Sequence, residues 1–452
     1  MKNQIKYILL FTLLVLSKLS FSQCWESVSC GGAHSLGIKQ DGTLWAWGNN
    51  SLGQLGDGTN IDKNSPIQIG TSNNWKYISA GGHSLAIKLD GTLWAWGYNN
   101  KGQLGIGNQT NVNTPTQVGI SNNWESVATG EFYSLGLKQD GTLWAWGLND
   151  DGQLGDGTNT DKSSPIQVGN ITNWKSIATN GLHSMATRQD GSLWTWGNNN
   201  YGPLGDGTYV AKNIPVQIGA GSNWISISGS DYYSVTIKQN GTLWTWGYND
   251  YGQLGDGTLI AKNVPNQVGI ETNWKSIDAD GGHCLAIKND GTLWAWGYNF
   301  NGELGDGTGV NKNVPVQIGI ANNWKMVSAG GGHSLALQQN GTLWAWGNNG
   351  YGQLGNGANT NKNTPTNIVC WPTNLEPHDK PLINISIYPN PVFNELYLTS
   401  LSKPTQYLII NPQGIIVKSN TSSPNLPIQV SDLREGLYFI KIDNCVLRFE
   451  KN

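Results

Sequence analysis

Charged residues are scarce in this chain of 452 residues. Only 13% of the residues are Asp, Glu, Lys or Arg, and the formal net charge is −3. A weak charge of this sign does not supply the basic surface that nucleic-acid binding needs, so we expect no nucleic-acid partner. After the N-terminal 22 residues no unbroken apolar run of about 18 to 20 residues occurs, and we therefore expect no transmembrane segment.

Glycine and tryptophan, in contrast, are abundant. The chain contains 60 Gly and 22 Trp. Glycine is a poor helix former that suits tight turns, and aromatic residues are enriched in strands. The composition therefore favours many short strands joined by tight turns, and it predicts an all-β protein.

The N-terminus has the features of an export signal. A basic start precedes an apolar run over residues 7–16, and small residues follow at a suitable cleavage position. We predict a signal peptide over residues 1–22. Because Cys24 lies close to the cleavage position, a lipoprotein anchor is an alternative, although Gln23 lacks the small side chain of a lipobox.

The C-terminus forms a separate module. Residues 372–384 are polar and rich in proline, which predicts a linker, whereas residues 385–452 alternate apolar and polar positions as a small β-sandwich does. An opening YPNP at 388–391 and a closing GLYFIKI at 436–442 resemble the type A sorting domain of the type IX secretion system of Bacteroidota. The resemblance implies that this machinery binds residues 385–452 and delivers the protein to the cell surface or the medium. An ordinary terminal β-domain that binds a ligand is the alternative.

Between the two ends, residues 23–371 contain seven near-identical units. Each unit begins with a tryptophan and contains three, and a period of about 50 residues is typical of a propeller or a solenoid. Since every unit repeats its tryptophans, we expect them to form the core. The first tryptophans of the units are Trp25, Trp75, Trp124, Trp174, Trp224, Trp274 and Trp324.

Each unit predicts a four-stranded antiparallel meander. In the first unit, alternation indicates strands over residues 25–29, 35–39, 43–47 and 67–70. The dipeptide Asp41-Gly42 between the second and third strands is a strong hairpin signal. Such a sheet cannot bury its aromatic face alone, so stacking seven of them radially predicts a seven-bladed β-propeller.

The recurring pattern GGxHSLAIKxDGTLWAWGxNxxGQLGDGT resembles the repeat of the regulator of chromosome condensation family. This resemblance implies a seven-bladed propeller. The best-known member of that family is a nucleotide-exchange factor for a small nuclear GTPase, and it works through an inserted β-wedge. Because the present units carry no insertion and the chain carries an export signal, we do not expect exchange activity.

Two sets of repeated polar residues could bind a metal ion. We expect turn geometry to explain both sets, because the histidines recur with the turn and the aspartates lack the alternating oxygen ligands of known calcium loops. Tyr133 and Tyr233 replace the histidine in two units. We predict no metal, no cofactor and no catalysis. The two sets are His34, His83, His183, His283 and His333, and Asp57, Asp156, Asp206, Asp256 and Asp306.

Two of the five cysteines sit at the two ends of the repeat region. Cys24 and Cys370 each precede a tryptophan, and closure of a ring would bring them together. We predict a disulfide between them, with two unpaired thiols as the alternative. Cys30, Cys284 and Cys445 are left without a predicted partner.

One face of the propeller is the predicted partner surface. The connections from first to second strand and from third to fourth strand emerge there, and they hold the aromatic residues that differ between units. Aromatic side chains on a rigid rim are typical of interfaces, although several could simply cover the outer blade surface. The candidates are Phe132, Tyr133, Tyr201, Tyr232, Tyr233, Tyr251, Phe300 and Tyr351.

The sequence as a whole predicts a secreted, monomeric propeller on the cell surface that binds a protein or a glycan without catalysis. Two alternatives follow from the same features. One is a secreted hydrolase or lyase acting on polysaccharide at the central depression. The other is a structural adhesin in which the ring serves as a spacer. Uniform units favour the binding module, since an enzyme would concentrate acidic or histidine residues in one or two blades.

Overall fold

The computed structural model describes residues 25–179, 181–221, 223–230, 232–368, 386–399, 404–411, 416–424, 426–442 and 445–452. These residues form strands, turns and loops, with no helix among them. They belong to two compact units, one before and one after the boundary at Ile368. The predicted signal peptide, the linker and the pair Cys24 and Cys370 lie outside the described residues.

The first unit consists of seven four-stranded antiparallel sheets, and each sheet uses four consecutive strands. The first strands are Trp25–Cys30, Trp75–Ala80, Trp124–Thr129, Trp174–Thr179, Trp224–Gly229, Trp274–Asp280 and Trp324–Ala329. The second strands are His34–Lys39, His83–Lys88, Tyr133–Lys138, His183–Arg188, Tyr233–Lys238, His283–Lys288 and His333–Gln338. The third strands are Leu44–Gly48, Leu93–Gly97, Leu143–Gly147, Leu193–Gly197, Leu243–Gly247, Leu293–Gly297 and Leu343–Gly347. The fourth strands are Lys63–Gln68, Val112–Gln117, Lys162–Gln167, Lys212–Gln217, Lys262–Val268, Lys312–Gln317 and Lys362–Ile368.

These sheets are the blades of a closed ring. We number them 1 to 7 in chain order. The first strands of successive blades contact one another, and the first strand of blade 7 contacts that of blade 1, so the first strands surround the axis. At the closure the Trp25 amide donates to the Gly341 carbonyl at 3.1 Å, and the Gly331 amide donates to the Gly31 carbonyl at 3.2 Å. The predicted seven-bladed β-propeller is confirmed.

The Asp-Gly hairpins form as the sequence indicates. In blade 1, the Asp41 carboxylate accepts a hydrogen bond from the Thr43 amide at 3.0 Å. Gly42 has a φ of +80°, which is a conformation that side chains with a Cβ rarely adopt. The turn therefore sets the register of the second and third strands, in which Leu36 pairs with Ala46.

Two of the three tryptophans are buried in every blade, and in blade 1 the third is buried as well. In blade 1, Trp25 and Trp47 are buried, with ring centroids 5.4 Å apart. The remaining tryptophan, Trp45, is covered by the Lys39 ammonium, 3.4 Å from its ring centroid. The residues equivalent to Trp45 are only partly buried in the other blades. All six still pack against the hydrophobic clusters, so they contribute to the core as predicted while part of their surface stays exposed. They are Trp94, Trp144, Trp194, Trp244, Trp294 and Trp344.

The second unit is a small β-sandwich, as predicted. One sheet contains three strands and the other contains four, and residues from both sheets share one hydrophobic cluster that includes Leu396, Ile409 and Phe449. The strands of the first sheet are Ile387–Tyr388, Glu395–Leu398 and Ile428–Gln429. The strands of the second sheet are Thr405–Ile410, Ile416–Ser422, Gly436–Ile442 and Cys445–Lys451.

Candidate functional site

The antiparallel meander places two connections of every blade at one end of the ring. The turn from the first to the second strand lies close to the axis, because the first strands surround it. The long loop from the third to the fourth strand emerges at the same end and runs outward. We call this end the loop face. The Asp-Gly hairpins and the links between blades lie at the opposite end.

The repeated histidines join neighbouring blades. His34 Nε2 lies 2.9 Å from Ser84 Oγ of blade 2, and Ser84 donates its own proton to the Gln54 carbonyl at 2.7 Å. His34 Nε2 must therefore carry a proton and donate it to the serine. Equivalent contacts of 2.7 to 2.9 Å run around the ring and close between His333 and Ser35.

Burial holds these histidines in the neutral form. It lowers the pKa of His34 and His283 to about 4, and it lowers the pKa of His83 and His333 to about 3, with neighbouring histidines adding to the effect for the last two. A neutral imidazole fixed by a serine of the next blade is a structural connector. Among the described residues, no group of three or more His, Cys, Asp or Glu side chains is arranged to hold a metal ion.

Tyr133 and Tyr233 take the histidine position in blades 3 and 5, and both are buried, with 0% and 1% of their surface exposed. Their hydroxyl groups donate to the backbone carbonyls of His183 and His283 in the next blade. The prediction that these two tyrosines face a partner is wrong. They follow the half-buried residues Phe132 and Tyr232 in the sequence, but the second strand turns their rings into the interface between blades.

The aspartates of the long loops serve the loops themselves. Asp57 accepts a hydrogen bond from the Thr59 amide at 2.9 Å and pairs with the Lys63 ammonium at 3.0 Å. The predicted local turn is present, but these side chains are only 7 to 12% exposed, so the description of them as solvated is wrong. Four further blades repeat the ion pair, between Asp156 and Lys162, Asp206 and Lys212, Asp256 and Lys262, and Asp306 and Lys312.

Five tyrosines form a continuous row across the loop face of blades 4, 5 and 6. We call this row the tyrosine belt: Tyr201, Tyr232, Tyr248, Tyr251 and Tyr298. Tyr201 contacts Tyr232 at 4.9 Å and Tyr248 at 5.0 Å between ring centroids. Tyr248 contacts Tyr251 at 6.0 Å, and Tyr251 contacts Tyr298 at 5.1 Å. All these pairs meet edge to face, with interplanar angles of 61 to 82°.

Acidic groups accompany the belt. The Tyr248 hydroxyl donates to the Asp250 carboxylate at 3.0 Å, and burial together with this carboxylate raises the pKa of Tyr248 to about 12. Burial, and then the charge of Glu303, also raises the pKa of Tyr298. Within the described part of the chain, neither Asp250 nor Glu303 forms an ion pair. The belt is therefore aromatic and locally negative.

The structure also places the other predicted candidates. Tyr201 and Tyr251 are 43% and 41% exposed, whereas Tyr232 is half-buried. Phe132 is half-buried and contacts Tyr98 at 6.0 Å, which makes a smaller aromatic pair on blades 2 and 3. The loops of blades 6 and 7 carry the last two candidates, Phe300 and Tyr351, at 75% and 49% exposure.

Sequence reasoning missed Tyr98, Tyr248 and Tyr298. All three directly follow the Trp-Gly pair that ends the third strand. This position is Asn or Leu in the other blades, so its variation between units was the signal that could have found them. The missed residues include two members of the belt, and without Tyr248 the belt would not be continuous.

A second apolar feature follows the outer edge of blades 4, 5 and 6. Its side chains are 46 to 66% exposed, and we call it the outer stripe. The stripe crosses blade boundaries, because the Val264 side chain lies against the loop glycine Gly207 of blade 4, and Val314 lies in the same way against Gly257. The members are Tyr209, Val210, Ile214, Leu259, Ile260, Val264, Val310 and Val314.

The outer stripe is specific to these three blades. Blade 3 has Asn159, Thr160 and Ser164 at the positions of Tyr209, Val210 and Ile214. Blades 2 and 7 are also polar at all three positions, and blade 1 has a single apolar residue there, Ile61. Contiguous exposed apolar surface on a soluble domain is typical of interaction sites.

Blade 6 has three acidic residues where the other blades are neutral: Asp278, Asp280 and Glu303. The Asp280 carboxylate accepts a hydrogen bond from the Gly281 amide at 2.8 Å. Asp278 replaces a serine or alanine near the axis, and its carboxylate accepts bonds from Ser228 Oγ and the Ala329 amide, both at 2.9 Å. Glu303 stands where five blades have glutamine and blade 4 has Pro203, and it accepts a bond from the Asn301 amide at 2.9 Å. Burial raises the pKa of the Asp278 and Glu303 carboxyl groups. Each is occupied in holding a neighbouring blade or its own loop.

Seven sequential four-stranded blades, closed without exchange of strands, define the class: a seven-bladed β-propeller of repeated units. The regulator of chromosome condensation (RCC1) repeat family matches residues 41–87, 90–137, 140–187, 190–237, 240–287, 290–337 and 340–377. The chain belongs to this family. A second description of the same repeat also matches, from residue 25 to residue 353 in six segments.

The C-terminal unit matches the secretion system C-terminal sorting domain over residues 386–449. This match confirms the predicted sorting module and indicates export by the type IX secretion system to the cell surface or the extracellular space. Over the described residues, no helix has the length and apolar character needed to cross a membrane.

Solved structures share the propeller fold. Human WBSCR16 is 24% identical, with a TM-score of 0.63 over 70% of this chain and 88% of that chain. Prp20p from Saccharomyces cerevisiae is 25% identical, with a TM-score of 0.62 over 69% of this chain and 82% of that chain. The ultraviolet-B receptor UVR8 of Arabidopsis thaliana is 41% identical over 44 residues, which is 10% of either chain. The match therefore spans about a tenth of that curated relative.

Proposed function

We propose that the protein is a secreted, non-catalytic binding module whose ligand is a protein, bound by the tyrosine belt and the outer stripe of blades 4 to 6. The observation that carries the proposal is the coincidence of two exposed apolar features on the same three blades. A ring of copied units has no internal reason to be apolar on one side only. Selection for a partner on that side explains both features together.

The composition of the surface favours a protein over a glycan. Tyrosine supplies large, rigid contact area at low cost in conformational entropy, and protein interfaces are enriched in it. The outer stripe adds aliphatic groups such as Val264 and Ile260, which offer a sugar no hydrogen bonds. Of the similar structures, one is described by its binding to Gsp1p and histones, and another shows yeast RCC1 bound to Kap60. Those partners are proteins.

The absence of catalysis in this proposal is supported by the environment of the acidic residues. Asp278, Asp280 and Glu303 are the groups that an enzyme would be expected to concentrate in one blade, and each accepts a hydrogen bond from a backbone amide. The histidines are engaged by serines in the same way. These contacts leave the polysaccharide hydrolase without a supporting observation on the loop face.

The test compares matched variants of the full chain for capture of surface proteins, quantified by mass spectrometry. A belt variant carries Tyr201→Ala and Tyr251→Ala. A stripe variant carries Leu259→Asn, Ile260→Thr and Val264→Ser, which are the residues of blade 3 at these positions. We expect one protein to bind the wild type at least about tenfold more strongly than either variant. The control Tyr351→Ala, on blade 7, should bind like the wild type.

Two outcomes would overturn the proposal. Equal capture by the wild type and both variants would remove blades 4 to 6 as the site. Capture that survives protease treatment of the extract but disappears with competing polysaccharide would identify a glycan as the ligand. Circular dichroism of each variant checks that the propeller is still folded.

A further inference from the structure

Three members of the tyrosine belt contact one another in sequence across the boundary between blades 5 and 6. We call Tyr248, Tyr251 and Tyr298 the tyrosine cleft. The ring of Tyr251 meets its two neighbours at interplanar angles of 82° and 66°, with centroids 6.0 and 5.1 Å away. Because these rings meet edge to face, the row presents ring faces as well as ring edges to a ligand, and a ring face is the part that attracts a cation.

A glycine leaves the cleft uncovered from the side of the next blade. In blade 5, Tyr232 extends from the first turn and packs on Tyr201 of blade 4. The equivalent residue of blade 6 is Gly282, so no ring packs on Tyr251 in the same way. A Cβ at position 282 would lie 3.3 Å from Tyr298 Cβ and 4.0 Å from Tyr251 Cδ2. Blade 6 therefore has no side chain at the position where blade 5 has the ring of Tyr232.

The two charged side chains that act on the cleft tyrosines are both carboxylates. The exposed carboxylate of Asp250 is bonded to the Tyr248 hydroxyl, and the buried carboxyl of Glu303 lies near enough to influence Tyr298. In the part of the chain that the structure describes, no lysine or arginine pairs with either group. Tyrosine faces are themselves electron-rich and attract cations. The carboxylates therefore disfavour an anionic ligand. Both the tyrosine rings and the Asp250 carboxylate favour a cationic ligand.

We propose that the tyrosine cleft binds one lysine or arginine side chain of the protein partner, with Asp250 as its counter-charge. The proposal rests on the proposed function, because it takes the tyrosine belt as a protein-binding surface. The aromatic rings contact the alkyl stem and the face of the cationic group, while the carboxylate neutralises its charge. The outer stripe then receives aliphatic residues of the same partner.

The test uses the full chain and three acetylated, amidated pentapeptides, Gly-Ser-X-Ser-Gly, in which X is arginine, lysine or citrulline. Citrulline has nearly the shape of arginine without its charge. Binding is measured by ligand-observed NMR at about 50 mM salt, where screening is moderate. We expect the arginine and lysine peptides to bind at least about tenfold more tightly than the citrulline peptide, and binding should weaken as salt rises.

Variants separate this inference from the proposed function. Tyr251→Ala should abolish binding of the cationic peptides and Asp250→Asn should weaken it severalfold, whereas Tyr351→Ala should leave it unchanged. Equal binding of citrulline and arginine peptides, or binding that survives Tyr251→Ala, would overturn the inference. If the belt variant no longer captures the protein while Asp250→Asn captures it fully, the proposal that the cleft binds a cationic side chain is refuted. The proposal that the tyrosine belt binds a protein then still holds. If neither change affects capture, both proposals fail.

Discussion

At the scale of single residues, the most informative position is the one that holds His or Tyr at the start of each second strand. Sequence reasoning recognised that the position recurs with its turn, and the structure supplies the reason, a hydrogen bond to a serine of the next blade. It assigned Tyr133 and Tyr233 wrongly, because a tyrosine among variable loop residues reads as exposed. Only the register of the second strand shows that these rings point into the blade interface.

The buried histidines predict a loss of stability in mild acid. Their pKa values of about 3 to 4 in the folded protein lie below the ordinary value of 6.5, so between these limits the unfolded chain binds protons that the folded chain does not. The free energy of unfolding should therefore fall as pH falls from about 6.5 to about 4, by up to roughly 1.4 kcal/mol per pH unit for each histidine. Urea unfolding at several pH values measures this slope.

The variant to compare with the wild type is His283→Tyr, because tyrosine occupies the equivalent position in blades 3 and 5. It removes one titrating group, so its slope should be smaller than that of the wild type by about 1.4 kcal/mol per pH unit. The carboxyl groups of Asp278 and Glu303, whose raised pKa values act in the opposite direction, are present in both proteins and cancel in the difference. Parallel stability profiles for the two proteins would contradict the prediction.

At the scale of elements, the four strands of each blade were predictable from the sequence, whereas the packing of side chains within the blade was only partly predictable. Alternation and the Asp-Gly turns specify four strands because both signals are local in sequence. The partial exposure of Trp94 and its equivalents was not predictable, since it depends on a lysine or arginine of the second strand lying across the ring. Blade 7 has Gln338 at that position, so even copied units differ in how they cover this tryptophan.

Close approach of a loop glycine to the next blade predicts a strong mutational effect. Gly155 has a φ of +71°, and a Cβ there would lie 2.7 Å from Nε1 of Trp196. Gly169 has a similar φ of +62° with open space around it. Both alanine substitutions destabilise the protein because alanine disfavours a positive φ. Gly155→Ala also introduces a steric clash at the interface between blades 3 and 4. It should cost about 1 to 3 kcal/mol more than Gly169→Ala in urea unfolding, and equal costs would refute the clash.

At the scale of the whole molecule, the closed ring of seven blades followed from the period and from the need of each sheet for a neighbour. The concentration of exposed apolar side chains on blades 4 to 6 could not be predicted from the sequence. Val264 and Gly207 lie 57 residues apart and belong to different blades, so their contact appears only once the blades are arranged. The tyrosine belt likewise joins residues of three blades, and single-unit comparison finds its members without showing that they touch.

The closure predicts a covalent bond between the ends of the propeller. Trp25, next to Cys24, bonds to Gly341 of blade 7, and Ile368, two residues before Cys370, pairs with Leu343 of the same blade. We expect peptide mapping without reduction to recover Cys24 joined to Cys370. Replacing both with serine should lower the free energy of unfolding by about 4 to 5 kcal/mol, whereas Cys445→Ser should change it little. Two free thiols, or an acylated Cys24, would contradict this prediction.

The circle of histidine and tyrosine contacts has a consequence for the rate at which the chain reaches its native state. Six of the seven contacts link units that adjoin in sequence, but the seventh joins His333 to Ser35, 298 positions apart. Bringing distant segments together is the slow, entropically costly event in protein folding. Blades that are consecutive in the chain can pack on one another early, yet blade 1 has no neighbour on one side until blade 7 arrives. We therefore expect the contact between blades 7 and 1 to form last and to limit the rate of folding.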